Sequence, residues 1–188
     1  MKLYFDRCRS QIGQRSGYTA IELLVVIALV AIMTAMALPH FTFMVDRWRV
    51  YQAVTQLQHV LRFASVQAIR TGSHVTIRVT PRNCRTLRKQ KNLQDWSCGL
   101  TIFQDINHSN SRDSGETILQ EVPEFHALTV MRSPNSAYLT YNPYGVPAGS
   151  ISHFEVSPAM NPDSSATQTI CLTAGGRIRV QAGSGCSS

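Results

Sequence analysis

The stretch GYTAIELLVVIALVAIMTAMALP, residues 17–39, decides the fold because it is a membrane-length apolar segment that carries one carboxylate. From Leu23 to Val45 the chain has no Asp, Glu, Lys or Arg. A helix needs about 20 apolar residues to cross the hydrocarbon core, so residues 18–38 are predicted to form a transmembrane helix. An ionisable side chain inside a spanning helix costs roughly 2.5 to 3.5 kcal/mol at its centre. Glu22 is therefore expected to have a function and a cationic partner.

Residues 1–17 form a basic leader that sets the orientation of this segment. Four basic residues stand against one acidic residue there, so the positive-inside rule predicts a cytoplasmic N-terminus and an exported remainder. Two alternatives are a secretory signal peptide cut at the A-x-A site Ala35–Ala37, and an uncut anchor. The long charged leader, which ends in Gly17, and the glutamate within the apolar run both disfavour a secretory signal peptide.

The sequence G-Y-T-A-I-E-L-L, residues 17–24, resembles the class III signal of type IV pilins and type II secretion pseudopilins. The resemblance implies that a prepilin peptidase cuts between Gly17 and Tyr18 on the cytoplasmic side. It also implies that the new α-amino group of Tyr18 is N-methylated, although Phe is the usual first mature residue. Glu22 is then neutralised during assembly by the α-amino group of a neighbouring subunit. Pro39 matches a proline common in these helices, where it marks a kink or a locally melted turn.

The cysteine count agrees with loss of the leader. Cleavage after Gly17 removes Cys8 and leaves an even set of four cysteines in the exported part, where disulfides persist. Four cysteines allow three pairings. We favour Cys84 with Cys98 and Cys171 with Cys186, because each closes a short loop of about 15 residues that contributes roughly 3 kcal/mol in the chain-entropy model. A zinc site is disfavoured because Cys-x-x-Cys spacing is absent.

Residues 39–72 are predicted to continue the helix as an amphipathic segment that ends at Gly72. Apolar residues recur there at three- and four-residue spacing, and this stripe is predicted to pack against a sheet. Its members are Met44, Trp48, Tyr51, Val54, Leu57, Leu61, Ala64 and Ala68.

Residues 73–188 are predicted to form a β domain with an antiparallel sheet. Eight short runs separated by turn residues are predicted as strands: HVTIRVT (74–80), GLTIF (99–103), TILQEV (117–122), ALTVM (127–131), AYLTY (137–141), SHFEV (152–156), TICLT (169–173) and RIRVQ (177–181). A long helix followed by such a sheet is the pilin-like α+β arrangement. The segment QLQHVLRFASVQAIRTGSHVTI, residues 56–77, resembles the helix-to-first-strand segment of the GspH/FimT branch of that family.

The run CLTAGGRIRV, residues 171–180, holds the candidate binding residues. Gly175 and Gly176 predict a tight hairpin, after which Arg177 and Arg179 alternate onto one strand face. Gly176-Arg177-Ile178-Arg179 matches the G-R-x-R element of FimT-like minor pilins, which bind DNA during natural transformation. Arginine suits phosphate because its planar fork donates two hydrogen bonds at once. Alone, two alternating arginines on an edge strand are more typical of a solvated face or a guard against aggregation.

A second basic cluster lies in PRNCRTLRKQK, residues 81–91, and is either a solvated loop or a second phosphate contact. Its members are Arg82, Arg85, Arg88, Lys89 and Lys91. The prediction of DNA binding rests on the clustering of basic residues and not on the net charge of the chain. The whole chain has a net charge of +7 with 18 basic and 11 acidic residues. Loss of the leader, with four basic residues and one acidic residue, lowers the net charge to +4. Binding to phosphates is expected to be independent of sequence and sensitive to salt, because no groove-reading motif is present.

A metal site and catalysis are both disfavoured. DINHSNSRDSGE, residues 105–116, places oxygen-bearing side chains at five positions of a calcium loop: Asp105, Asn107, Ser109, Asp113 and Glu116. However, Asn110 stands where that loop needs glycine and the flanks are predicted strands, which favours an ordinary hairpin loop. No metalloprotease, nucleophile-elbow or phosphate-loop motif occurs. We therefore expect no enzyme activity and no cofactor.

The sequence thus favours a processed FimT-like minor pilin of the inner membrane and the pilus. Its expected partners are the prepilin peptidase, other major and minor pilins and double-stranded DNA. The alternative is a GspH-like pseudopilin of type II secretion, or a minor pilin that primes the filament, without DNA binding.

Overall fold

The computed structural model describes residues 18–80, 95–149 and 151–186, without the side chains of residues 36–41. The chain divides into two units, Met1–Phe41 and Thr42–Ser188. The described elements are one helix followed by eight strands. They are α1 (Ala20–Thr71), β1 (Val75–Val79), β2 (Leu100–Gln104), β3 (Ile118–Val122), β4 (Leu128–Ser133), β5 (Tyr138–Tyr141), β6 (Ser152–Pro158), β7 (Gln168–Leu172) and β8 (Ile178–Ala182).

Helix α1 begins and ends at recognisable capping residues. Thr19 accepts a hydrogen bond at its Oγ1 from the backbone N–H of Glu22, 3.3 Å away, as an N-cap residue does. At the other end Gly72 has φ of 61°, the left-handed conformation that closes many helices. The prediction that Gly72 terminates the helix is confirmed.

The apolar stripe predicted for the amphipathic half of α1 is right from Val54 onward and wrong before it. Trp48 and Tyr51 are 59% and 61% exposed, and Met44 is exposed as well. The reason is geometric. A step of three residues covers about 300° and falls about 60° short of a full turn, so three such steps from Trp48 to Leu57 lead to the opposite face. The buried face is instead continued toward the N-terminus by Val50 and Ala53.

The strands form two antiparallel sheets of four strands each, so the predicted antiparallel β domain is present and is divided in two. One has the order β3-β2-β1-β5 and the other the order β4-β6-β7-β8. All eight predicted strands are present. The division arises because β4 pairs with β6 while β5 returns to pair with β1. Strand β8 is therefore an edge strand, with β7 as its neighbour.

One hydrophobic core joins both sheets to residues 50–68 of α1. Alternation along each strand supplies the inward side chains, such as Val75 and Ile77 from β1 and Phe154 and Val156 from β6. Trp96 lies fully buried at the centre, with its ring centroid 5.0 Å from that of Phe154 in an edge-to-face arrangement. The candidate binding residues lie outside this core, on the exposed side of β8.

Among the described residues, no helix combines the length and the hydropathy of a membrane span. The assignment of residues 18–38 to the membrane stays a prediction.

Candidate functional site

The hairpin between β7 and β8 positions the two candidate arginines. The N–H of Gly176 donates to the carbonyl of Thr173 at 2.9 Å, and the N–H of Thr173 donates to the carbonyl of Arg177 at 3.0 Å. The Oγ1 of Thr173 accepts from the N–H of Arg177 at 3.1 Å. Gly176 has φ of 82°, a left-handed conformation that glycine adopts without steric cost. The hairpin turn predicted from the two glycines is therefore present.

Arg177 and Arg179 are both exposed; Arg177 directly precedes β8 and Arg179 lies within it, and a two-residue spacing places side chains on one face of an extended segment. Arg179 lies opposite Cys171 on β7, while Ile178 packs against the core. Within the described part of the chain, neither guanidinium has an ion pair or a hydrogen-bond partner. Two unneutralised guanidiniums thus project from an edge strand.

A disulfide ties the hairpin to the segment that follows it. Cys171 and Cys186 are bonded, with their Cα atoms 6.0 Å apart and a sequence separation of 15. The bond closes a loop that contains both arginines. Cys98 is also disulfide-bonded, while Cys84, its favoured partner, lies outside the described residues. So do all five residues of the second basic cluster, Arg82, Arg85, Arg88, Lys89 and Lys91.

The turn of the hairpin also rests against the loop between β5 and β6. A Cβ built on Gly176 would lie 3.5 Å from the ring of Pro147 and 3.6 Å from the carbonyl oxygen of Gly145. That same oxygen accepts a hydrogen bond from the Oγ of Ser65 on α1, at 2.7 Å. The β5–β6 loop therefore connects the hairpin to the helix, a support that the sequence does not reveal.

The residues of the predicted assembly motif lie at the start of α1. Tyr18 and Glu22 are both exposed. Glu22 lies in the first helical turn, three residues after Thr19, in the S/T-x-x-E pattern of a capping box. A carboxylate there also interacts favourably with the helix dipole. This local contribution of Glu22 is a second reason for its presence, which the sequence reasoning missed. Gly17 and the side chain of Pro39 lie outside the described residues.

In the loop between β2 and β3, residues 105–117, the carboxylates of Asp105 and Asp113 accept hydrogen bonds from nearby side-chain and backbone groups. Asp105 is fully buried and accepts from Thr76 Oγ1 at 2.8 Å and from the N–H groups of Ser109 and Asn110, each at 3.0 Å. Asp113 accepts from a loop asparagine and, at 3.1 Å, from the Oγ of Ser109, and these hydrogen bonds lower its pKa. The described residues contain no group of three or more His, Cys, Asp or Glu able to hold a metal. The loop joins two paired strands, as an ordinary hairpin loop does.

Two histidines meet at the base of this loop. The ring centroids of His74 and His108 are 3.9 Å apart at an interplanar angle of 75°. The pKa of His74 is lowered by burial and then by the charge of His108, whereas the carboxylate of Asp105 raises it. Protonation of His74 is therefore disfavoured in the folded protein.

Arg132 on β4 is a buried cation that the alternating pattern of its strand does not reveal. It is 6% exposed, and its guanidinium carbon lies 5.3 Å from the ring centroid of Trp96 and 5.8 Å from that of Phe154. It donates to the carbonyl of Tyr138 and, at 3.3 Å, to the Oγ of Ser152. Its Nε has no hydrogen-bond partner within the described residues. Burial lowers the pKa of Arg132 to about 10, because the charged guanidinium loses solvation there.

Comparison with known proteins identifies the family and the fold. The family model described as "Type II transport protein GspH" matches residues 53–180, more than half of the 188-residue chain. The type IV minor pilin FimU of Pseudomonas aeruginosa superposes with a TM-score of 0.56 at 18% sequence identity, covering 72% of this chain and 90% of FimU. A second crystal form of FimU gives a TM-score of 0.53, again at 18% identity, and covers 70% of this chain and 91% of FimU.

The minor pseudopilin EpsH of the type 2 secretion system of Vibrio cholerae gives a TM-score of 0.44 at 14% identity, covering 71% of this chain and 97% of EpsH. A search with the sequence finds no significantly similar curated protein. At these identities the likeness to FimU concerns the fold, and the predicted pilin-like α+β fold is confirmed.

Proposed function

Because the chain belongs to the GspH family of type II transport proteins and is a pilin-like subunit of the type IV pilus or type II secretion kind, we propose that it is a minor type IV pilin. In this role it is a structural subunit and not an enzyme. It assembles with other pilins into a filament and presents Arg177 and Arg179 to the backbone of double-stranded DNA for uptake.

The proposal includes processing and assembly at the inner membrane. A prepilin peptidase cuts between Gly17 and Tyr18, and the new amino group of Tyr18 is methylated. Residues 18–38 cross the membrane once, with the cytoplasm on the N-terminal side and the β domain in the periplasm. Glu22 then pairs with the α-amino group of a neighbouring subunit. The exposure of Tyr18 and Glu22 at the start of α1 supports this pairing, because both groups are open to a neighbour.

The DNA proposal rests on the exposure of Arg177 and Arg179 and on their lack of anionic partners. Arg177 and Arg179 are exposed on one face of an edge strand, and each lacks an anionic partner among the described residues. The Cys171–Cys186 disulfide closes the loop that carries both arginines, and the hairpin turn lies beside Pro147 of the β5–β6 loop. Arginines on a backbone held in this way bind phosphate with a smaller loss of backbone freedom than arginines on a mobile segment do.

A second candidate function is favoured by the description of the matching family model. A GspH-like pseudopilin of type II secretion, or a minor pilin that primes the filament, uses the same Glu22 chemistry and needs no DNA. On that hypothesis Arg177 and Arg179 are a solvated edge that prevents pairing with other sheets. The two functions therefore differ in what β8 contacts.

A mobility-shift titration of the full chain in nonionic detergent with random-sequence duplex DNA separates the two functions. The wild type is expected to bind with a dissociation constant in the range of about 1 to 100 μM, as non-specific binding does. Arg177→Gln with Arg179→Gln should weaken binding at least about tenfold. It should also make the slope of log K against log salt shallower by about 0.9 for each phosphate that the variant no longer neutralises.

The matched control is Arg62→Gln with Arg70→Gln on α1, which removes the same charge from two exposed positions away from β8. This variant should bind nearly as tightly as the wild type. If the two double variants bind alike, or if the wild type binds no DNA, the secretion or priming function is favoured and the DNA proposal fails.

A further inference from the structure

A cleft bordered by two arginines lies on the outer face of the sheet β3-β2-β1-β5, beside the β2–β3 loop. Its volume is about 440 Å³. Val79 and Phe103 line it together with polar side chains from the strands and from the loop: Arg78, Thr80, Thr101, Ser111, Arg112 and Glu121. The cleft is separate from the hairpin of Arg177 and Arg179, which belongs to the other sheet.

Both arginines of the cleft have guanidinium N–H groups without a protein acceptor among the described residues. Arg78 is half-buried and donates from Nη1 to the carbonyl of Asn110, which fixes its guanidinium against the loop. Its remaining N–H groups have no protein partner within the described residues. Arg112 is exposed and has neither a hydrogen bond nor an ion pair in the described part of the chain. One fixed guanidinium and one free guanidinium therefore border the same cleft.

The charge of the cleft suits an anion. Glu121, opposite Thr101 in the register of β2 and β3, is the acidic residue of the lining. It forms no ion pair with either arginine among the described residues. Among the described residues of the lining, two guanidiniums and one carboxylate leave a net charge of +1. A phosphodiester carries one negative charge and accepts several hydrogen bonds from guanidinium and hydroxyl groups.

The geometry points to a second contact with the DNA backbone, in which Arg78 and Arg112 bind one phosphodiester group. This inference rests on the proposed function, and it extends it from one patch of the β domain to two. The hydroxyls of Thr80 and Thr101 hydrogen-bond to each other at 2.7 Å, so one of this pair and the hydroxyl of Ser111 can donate to the bound group. The carboxylate of Glu121 weakens binding, so its removal strengthens retention of DNA.

Fluorescence anisotropy of a labelled random-sequence duplex of about 30 base pairs tests the cleft, with the full chain in nonionic detergent over a range of salt concentrations. Arg112→Gln should weaken binding about three- to tenfold, and Arg78→Gln with Arg112→Gln should make the salt slope shallower by about 0.9. Glu121→Gln should tighten binding severalfold. The matched control for the double variant is again Arg62→Gln with Arg70→Gln, and the control for Arg112→Gln is Arg62→Gln alone; each lowers the net charge equally at positions outside the lining of the cleft.

Arg78 also holds the loop, so Arg112→Gln and Glu121→Gln are the decisive variants, and their thermal melting should match that of the wild type. If neither changes affinity beyond the control while Arg177→Gln with Arg179→Gln abolishes binding, this inference is wrong and the proposed function stands. If the wild type binds no DNA, both fail. A short-chain phosphatidylglycerol, which has the same phosphodiester, is titrated in parallel. An effect of Arg112→Gln on lipid alone would assign the cleft to lipid and overturn the DNA contact.

Discussion

Gly145→Ala is expected to be one of the most damaging single-methyl additions in the β domain. Gly145 has φ of 74°, where a residue with a Cβ is strained by about 1 to 2 kcal/mol. A Cβ there would also lie 2.6 Å from Cδ1 of Ile69 and 2.9 Å from the Oγ of Ser65. Overpacking of this kind typically costs about 1 to 3 kcal/mol. The sum predicts a loss of about 2 to 5 kcal/mol in the free energy of unfolding.

Gly183→Ala is the matched control for the strain alone. Gly183 has φ of 83°, and a Cβ there would meet nothing within 4 Å. Its cost should therefore be about 1 to 2 kcal/mol. Urea denaturation followed by tryptophan fluorescence measures both variants. Adding Ile69→Ala to Gly145→Ala removes the closest atoms, so part of the loss should be recovered in the double variant.

Equal losses for the two glycine variants would refute the reasoning, because the contact with α1 would then contribute nothing. The reasoning would also be refuted if the double variant lost as much free energy of unfolding as Gly145→Ala and Ile69→Ala lose together as single variants. A related effect is expected on the hairpin, since the carbonyl of Gly145 faces Gly176. Gly145→Ala should weaken DNA retention more than Gly183→Ala does.

Three other predictions follow from buried or constrained groups. Arg132→Met should change the free energy of unfolding by less than about 1 kcal/mol, because it removes a buried charge and keeps most of the side-chain volume. Arg132→Ala should cost about 3 kcal/mol, because it leaves a cavity. Urea denaturation measures both variants. His74 has a lowered pKa when folded, so the unfolded state binds more protons and stability should fall as the pH drops below about 6.5. His108→Asn should flatten this dependence in thermal melts at about pH 7.5 and pH 5.5; an equally steep dependence would contradict the assignment. Replacing both Cys171 and Cys186 by Ala should cost about 3 kcal/mol in the chain-entropy model, and unchanged denaturation would refute a stabilising role for the disulfide.

Local patterns in the sequence predicted the elements well, because each element is encoded by neighbours along the chain. The alternation of Val75, Ile77 and Val79 indicated β1, and the two glycines at 175 and 176 indicated the last hairpin. The pairing of the strands into sheets could not be predicted from the sequence. Two sheets arise from pairing between β5 and β1, which are more than 55 residues apart in the chain. Nothing in the strand pattern reports such a partner.

The errors and omissions have two causes. Trp48 and Tyr51 fit a three-residue spacing, but such steps fall short of a full helical turn and leave both on the exposed side of α1. The omissions arise from contact between distant segments. Arg132 occupies an ordinary polar position in its strand pattern, yet its charge is buried beside Trp96. The clustering of Arg78 with Arg112 depends on how the β2–β3 loop folds over the sheet. Sequence reasoning reached Arg177 and Arg179 because a single hairpin brings them together.

The most direct test of the pilin account is the mass of the mature N-terminal peptide, measured by mass spectrometry on the chain purified from its host with and without the prepilin peptidase. The account predicts a chain that begins at N-methylated Tyr18 when the peptidase is present, and at Met1 when it is absent. A chain that retains residues 1–17 in the presence of the enzyme would contradict the account, because Glu22 would then have no free α-amino group to meet.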